Sequence, residues 1–333
     1  MDILLNVLEN KIINEKITIS GSKSESNRLL ILKKLFSEIT IENLSDSDDS
    51  VHMQHALSTN NVTVNIGHAG TAMRFLTSYF AANNGRETVL TGSERMQNRP
   101  IEILVNALKD LGANIKYEDK IGYPPIRIKG TKITKDKVQI EGNVSSQYIS
   151  SLLLIAAKLE NGLEIELMGK ITSIPYINMT LSLLNQLGIE TSFIENSIKV
   201  YPKKDIEKQT VVVESDWSSA SYFYSIVALA EVNSQITLSA YRKQSLQGDS
   251  CLAAIYQHFG VATTFGEHAI TLKKVRKSSN ETLEIDLKNA PDIAQTIAVT
   301  CFALGVACNL TGLHTLKIKE TDRLVALHDE LSK

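Results

Sequence analysis

The chain has 333 residues, 43% of them apolar and 22% charged, with a net charge of −2. That length can bury a large core and predicts two domains, while the balanced charge offers no global field for nucleic acid or an anionic membrane. Three cysteines make no framework of pairs and seven histidines no metal-ligand spacing, so neither a disulfide scaffold nor a metal centre is expected, and a cytoplasmic, reducing compartment is.

In chain order, Lys16-Ile17-Thr18-Ile19 reads as a strand running into Ser20-Gly21-Ser22-Lys23-Ser24-Glu25-Ser26-Asn27-Arg28, with an apolar helix following over 29–36. A Gly/Ser turn that opens a helix presents free N–H groups and the positive end of the helix dipole. Lys23 and Arg28 add full charges, which suits a phosphate or carboxylate; a serine cap beside two solvated cations has the same pattern. Arginine is scarce, nine against 26 lysines, and Arg28, Arg74, Arg99 and Arg323 all fall in motifs of this kind. Arginine is the side chain best matched to planar, bidentate grip on an anion.

A Ser/Thr-rich opening followed by an apolar helix recurs at 22–36, 70–80, 145–159, 218–231 and 291–305. The openings at Gly70, Ser145, Ser218 and Pro291 are spaced by 75, 73 and 73 residues, whereas Ser22 to Gly70 is only 48, as though a hairpin were missing. Each is followed by a second helix with a polar face, at 48–57, 99–112, 175–188, 248–260 and 319–331. Proline near the first turn and glycine past the last mark several of these boundaries. Short β-rich runs lie between, among them 126–128, 138–140, 163–167, 198–201, 236–238, 269–272 and 283–285. Helices alternating with short strands predict repeated α/β units. Five units begin, and the fifth stops in its second helix, which reads as a fragment of a longer protein.

Residues 293–316 carry no Asp, Glu, Lys or Arg over 24 positions, long enough to span a bilayer. Gln295, Asn309, His314, two glycines and several threonines point instead to a buried helix, a turn at Gly305 and a buried strand. No signal peptide and no membrane partner are expected.

Further candidate residues sit at helix starts. Gly70 with Thr71 would let an anion approach backbone or would form a tight turn; Arg99 precedes Pro100. Ser145-Ser146-Gln147 offers two hydroxyls and an amide to a polyol or phosphate, or caps its helix, and Ser173 and Tyr176 flank Pro175 with the same two readings. Asp292 opens an apolar helix, as a dipole partner or a base in a protected site. Lys319-Glu320-Thr321-Asp322-Arg323 places Glu320 and Arg323 on one helical face. If the positive helix ends converge, they would bind a small, highly anionic substrate set.

Gly21-Ser22-Lys23-Ser24, Asn27-Arg28, Ser47-Asp48-Asp49, Ala69-Gly70-Thr71-Ala72-Met73-Arg74, Arg99-Pro100-Ile101, Ser145-Ser146-Gln147, Asp292 and Lys319-Glu320-Thr321-Asp322-Arg323-Leu324 together resemble 5-enolpyruvylshikimate-3-phosphate (EPSP) synthase, in order from residue 20 to residue 333. The resemblance implies a two-domain inverse α/β fold of repeated α/β units with the last repeat missing. Residues 20–216 would form a three-repeat domain on the shikimate 3-phosphate side, and 1–19 with 217–333 an incomplete second domain. It implies transfer of the enolpyruvyl group of phosphoenolpyruvate to the 5-hydroxyl of shikimate 3-phosphate, by a monomer and with no cofactor. Carried over residue by residue, Lys23, Ser24, Arg28, Ser145, Ser146, Gln147, Ser173, Tyr176, Asp292 and Lys319 would hold shikimate 3-phosphate. Lys23, Gly70, Arg99, Gln147 and Arg323 would hold phosphoenolpyruvate. Lys23, Asp292 and Glu320 would be catalytic, with Asp292 the base and Glu320 the proton donor.

The chain departs from the family at His68, Phe75 and Thr315, and lacks the family's C-terminal Asp-His-Arg motif and late lysine. Two alternatives stay open on sequence: a truncated, non-catalytic binder of shikimate 3-phosphate, and UDP-N-acetylglucosamine enolpyruvyl transferase. Ser24 after Lys23, in place of a Lys-Asn pair, and the lack of a loop cysteine speak against the latter.

Overall fold

The computed structural model describes residues 12–143, 145–171, 174–319 and 321–333. The chain divides into two compact units: Gly21–Val213, and Glu214–Lys333 with the described residues that precede Gly21.

In the first unit two four-stranded sheets share one topology. Thr63–Asn65 pairs in parallel with Glu87–Thr91, which pairs antiparallel with Ile126–Lys129, itself antiparallel to Asn114–Tyr117. Lys137–Glu141, Leu163–Met168, Ser197–Val200 and Thr191–Ile194 repeat that order. Alternation sets the faces: Leu163, Ile165 and Leu167 are buried while Glu164 and Glu166 point outward. The earliest repeat has two strands only, Ile39–Glu42 in parallel with Gln209–Val212, a strand supplied from the far end of the unit. This is the physical content of the short 48-residue spacing. Gly21 sits where the chain crosses this pair; a Cβ there would overlap the carbonyl oxygen of Asn43.

Helices Lys23–Leu35, Gly70–Ala82 and Ser146–Ala156 form the unit's interior and pack pairwise. Gly70–Ala82 is buried from Gly70 through Ala81, including the side face that a surface helix would give to water. Such helices need their hydroxyls paired. Ser78 Oγ donates to Ser151 Oγ at 2.9 Å, joining the buried helices of adjacent repeats.

The second unit has the same design. Asn14–Ile17 runs parallel to Gln235–Ser239, followed by Ala269–Lys274 and Val261–Phe265, both antiparallel to their neighbours. Helix Trp217–Leu229 packs on helix Ala294–Leu304. Repeat-related hydroxyls again meet, Ser221 with Thr296 at 2.9 Å and Ser225 with Thr300 at 2.8 Å. Trp217, Tyr224, Tyr241 and Tyr256 are buried together. Buried Lys274 caps the surrounding backbone, its Nζ donating to the carbonyls of Ala228 and Phe259 at 2.6 and 2.7 Å.

Two expectations need correction. The helix expected over 248–260 is a 3₁₀ turn, Gly248–Cys251, and a single α-turn, Leu252–Ile255. Beyond Tyr256 the amides of Gln257, His258, Phe259 and Gly260 bond to carbonyls three residues back, so the helix tightens into turns. The strand expected to be buried after Gly305 is Cys308–Thr311, and it is mostly exposed. It pairs with Leu283–Asp286 in a two-stranded sheet and packs on the core through Leu310. The apolar helix before it is Ala294–Leu304, ended by Gly305 in the left-handed conformation. Among the described residues no helix is long and apolar enough to cross a membrane.

Candidate active site

In the first unit the candidate residues gather at helix starts. Ser22 caps Lys23–Leu35, and Lys23 is exposed in its first turn. Ser24 is half-buried, and its carbonyl accepts from Arg28 Nη1 at 2.7 Å. Arg28 itself is buried. Its Nε donates to Thr180 Oγ1 at 2.7 Å, and its Nη2 to Ser150 Oγ at 3.1 Å and to the Tyr176 carbonyl at 3.3 Å. The guanidinium carbon lies 5.3 Å from the Phe75 ring centroid. Burial lowers the Arg28 pKa to about 10, opposed by Tyr176 and Glu25, so it stays charged at neutral pH. One arginine thereby ties together elements of three repeats.

Gly70 opens its helix beneath Arg99. A Cβ built there would lie 2.6 Å from Arg99 Nη1, so any other residue would displace the Arg99 guanidinium. Arg74, one turn on, is buried and donates to the Gly70 carbonyl at 3.1 Å and the Pro100 carbonyl at 3.2 Å. Tyr148 Oη donates to that same Pro100 carbonyl at 2.7 Å. The Arg99–Pro100 bend is therefore held by two side chains from other helices. Burial lowers the Arg74 pKa to about 10, Tyr148 opposes this and the Arg99 charge adds to it. The Arg74 Nε is buried without a partner. Ser145 caps helix Ser146–Ala156, Ser146 is buried, and Gln147 Nε2 donates to Thr71 Oγ1 at 3.3 Å, joining two helix starts. Tyr176 is half-buried in the first turn of Ile174–Gln186. Ser173 lies outside the described residues.

In the second unit Asp292 sits on the 3₁₀ turn Pro291–Ile293, whose proline fits a first-turn position. Its Oδ1 is 2.9 Å from Arg323 Nη1 and 3.2 Å from Lys319 Nζ. All three side chains are part-buried, between 24% and 29% exposed. Arg323 opens helix Arg323–Leu331, capped by Asp322, which accepts from the amides of Leu324 and Val325. Glu320 lies outside the described residues.

The geometry brings together Asp292, Lys319 and Arg323, and it adds residues outside the candidate set. Arg74, Tyr148, Ser150 and Thr180 hold the first-unit candidates in place. Asp249, 5% exposed, accepts a hydrogen bond from Ser218 Oγ. Its signal in the sequence was positional: it starts the second helix of its repeat, as Arg99 and Lys319 do in theirs. The first unit supplies cations and amides suited to phosphate and carboxylate groups, and the second, taken by itself, a carboxylate held by two cations.

Comparison with known proteins decides the family. The profile described as EPSP synthase (3-phosphoshikimate 1-carboxyvinyltransferase) matches residues 57–333. The chain belongs to the EPSP synthase family. It is 46% identical over 322 residues to the 3-phosphoshikimate 1-carboxyvinyltransferase of Bacteroides fragilis (strain YCH46), covering 96% of this chain and 78% of that protein. It is 36% identical over 353 residues to the protein of that name from Histophilus somni (strain 2336), covering 96% and 80%. A solved EPSP synthase from Acinetobacter baumannii superposes with a TM-score of 0.76 at 20% identity, over 97% of this chain and 79% of that one. A second A. baumannii EPSP synthase structure gives a TM-score of 0.60 at 16% identity, covering 96% of each chain. These two share the repeated α/β fold that this EPSP synthase family member displays. Its homologues are carboxyvinyl transferases, and it is an enzyme of that class.

Proposed function

We propose that the chain transfers the enolpyruvyl group of phosphoenolpyruvate to the 5-hydroxyl of shikimate 3-phosphate, giving EPSP and phosphate on the route to chorismate and aromatic amino acids. The observation that carries this reading is the pairing of Lys319 and Arg323 on one oxygen of Asp292, in a chain 46% identical to a named 3-phosphoshikimate 1-carboxyvinyltransferase.

In this reading Lys23, Ser24, Arg28, Ser145, Ser146, Gln147, Ser173, Tyr176, Asp292 and Lys319 hold shikimate 3-phosphate. Arg28 serves mainly through the shape it imposes, because its guanidinium already binds Thr180, Ser150, Tyr176 and Ser24. Lys23, Gly70, Arg99, Gln147 and Arg323 hold phosphoenolpyruvate; the glycine lets backbone and the Arg99 fork approach one anion together. Asp292 takes the 5-hydroxyl proton as the oxygen bonds to C2, and Glu320 protonates C3. Loss of phosphate from C2 and of a proton from C3 then restores the double bond. Lys23 stabilises charge on the phosphoenolpyruvate side. Positioned cations supply most of the acceleration, with acid–base transfer adding to it.

The reading includes a cytoplasmic monomer that needs no cofactor, with two small anionic substrates as its partners and no nucleic acid or membrane. Its test is substitution at the exposed cation in the first turn of helix Lys23–Leu35. Lys23→Ala should weaken shikimate 3-phosphate binding by roughly tenfold or more while the thermal midpoint stays put. Unchanged affinity would remove the proposed anion site.

A further inference from the structure

Arg99 is a half-buried cation whose guanidinium forms no hydrogen bond or ion pair with any of the described residues. Its direction is therefore inherited from the backbone on either side. The Arg99 amide donates to the Met96 carbonyl at 3.0 Å, and the Ile101 amide to the Gly122 carbonyl at 2.9 Å. Pro100, between them, has no N–H to give, which leaves its carbonyl as the remaining handle. Two donors from other helices take it, Tyr148 Oη at 2.7 Å and Arg74 Nη2 at 3.2 Å. A carbonyl oxygen has two lone pairs, so these two donors fill its capacity. Arg74 also donates through Nη1 to the Gly70 carbonyl at 3.1 Å, and its guanidinium carbon stands 6.0 Å from the Tyr148 ring centroid. The glycine beneath Arg99 and the carbonyl next to it are thus fixed by one guanidinium, and the phenol ties that corner to helix Ser146–Ala156. The Tyr148 ring is buried, and a phenylalanine would fill the same space. Packing accounts for the ring; only the bond to Pro100 accounts for the hydroxyl.

We propose that Tyr148 is a positioning residue for Arg99: its hydroxyl, together with Arg74, locks the Pro100 carbonyl and so holds the unpaired Arg99 guanidinium over Gly70, ready for an incoming anion. The ordering of Arg99 is then complete before the ligand arrives, and the ligand does not bear that entropic cost. Tyr148 touches no ligand atom; it acts through the backbone that carries Arg99. The inference rests on the reading of Arg99 as a phosphoenolpyruvate ligand and adds what holds that ligand in place.

The test compares the wild-type chain with Tyr148→Phe, which keeps the ring and removes the donor. In the free chain carrying ¹⁵N-labelled arginine, the heteronuclear NOE of Arg99 Nε reports motion on the picosecond-to-nanosecond scale. It should be close to that of buried Arg28 in the wild type and should fall in the variant, while the Arg28 value stays put. A purely structural role for the hydroxyl would not single out Arg99. A wild-type Arg99 already as mobile as exposed Arg127, or a value unchanged in the variant, overturns the proposal. NMR titration of the same samples with phosphoenolpyruvate alone should show affinity weakened by roughly threefold or more in the variant. Calorimetric affinity for shikimate 3-phosphate should stay within about twofold. Arg99→Ala is the control. If it weakens phosphoenolpyruvate binding and Tyr148→Phe does not, the proposal is overturned. If Arg99→Ala leaves phosphoenolpyruvate binding unchanged while Tyr148→Phe still frees Arg99, the ligand reading of Arg99 fails and the positioning by Tyr148 stands.

Discussion

Arg323 Nη1 and Asp292 Oδ1 are 2.9 Å apart, and Lys319 Nζ reaches the same oxygen at 3.2 Å. A part-buried carboxylate that faces two cations is held in one place and keeps their charge from repelling the rest of the site. Asp292→Asn retains the shape but removes the charge and the proton acceptor. Phosphate release should fall by roughly a hundredfold or more, whereas affinity for shikimate 3-phosphate should change by less than about tenfold. Steady-state phosphate release and calorimetry separate the two, and near-normal turnover would take the base role away from Asp292.

Arg28 should prove to be a strut as well as a ligand. Its bonds to Thr180 and Ser150 are buried, those to the Ser24 and Tyr176 carbonyls part-buried, and all four are charge-assisted. Arg28→Ala leaves those acceptors unpaired and should cost about 2–4 kcal/mol of stability. Thr180→Val removes one partner and should cost about 1–2 kcal/mol. Urea denaturation reads both; a fully stable Arg28→Ala variant that merely binds weakly would show that the buried network carries no load.

Gly70 tests the anion approach by volume alone. A methyl group there meets the Arg99 guanidinium at 2.6 and 2.9 Å, the end of a flexible side chain and not backbone. The fold should survive Gly70→Ala because Arg99 can swing away. Phosphoenolpyruvate affinity should drop by roughly tenfold or more, with shikimate 3-phosphate affinity little changed. Equal losses for both substrates would place Gly70 outside the phosphoenolpyruvate subsite.

Asp249 also predicts a pH dependence of stability. Its carboxyl holds its proton up to about 7 in the folded chain, while an unfolded aspartate ionises near pH 4. Stability from this group is complete below about pH 4 and is lost as pH rises through 7. Asp249→Asn has no such titration. Its stability relative to wild type should therefore rise by about 2 kcal/mol between pH 5 and pH 8, measured by denaturant melts at each pH. A constant difference would mean that Asp249 is ionised throughout.

The repeated α/β order was legible because each repeat buries a nearly continuous apolar helix behind a Ser/Thr start, a pattern independent of tertiary detail. The spacing also exposed the short first repeat, whose two-stranded sheet borrows Gln209–Val212. What stayed hidden were partnerships across repeats. Thr180 and Ser150 read as hydroxyls in apolar helices, and nothing local says that Arg28, more than 120 residues earlier, will bind both. The burial of Asp249 stayed hidden because burial is a property of the packed unit, not of the tripeptide Gly248-Asp249-Ser250. Cys301 and Cys308 gave no signal in the sequence, yet Ala294–Leu304 and Cys308–Thr311 meet, and burial, with Cys308 adding to it, pushes the Cys301 thiol up to about 12. The helix over 248–260 failed because a favourable apolar spacing does not reveal where hydrogen bonds shift from four residues back to three.

The most direct measurement is phosphate release from phosphoenolpyruvate in the presence of shikimate 3-phosphate, with the 333-residue chain first shown by calorimetry to bind shikimate 3-phosphate. Release that requires both substrates, and that Glu320→Gln suppresses without loss of shikimate 3-phosphate binding, is the predicted result. A folded chain that binds neither substrate, or that releases phosphate equally well without shikimate 3-phosphate, would contradict the proposed transfer.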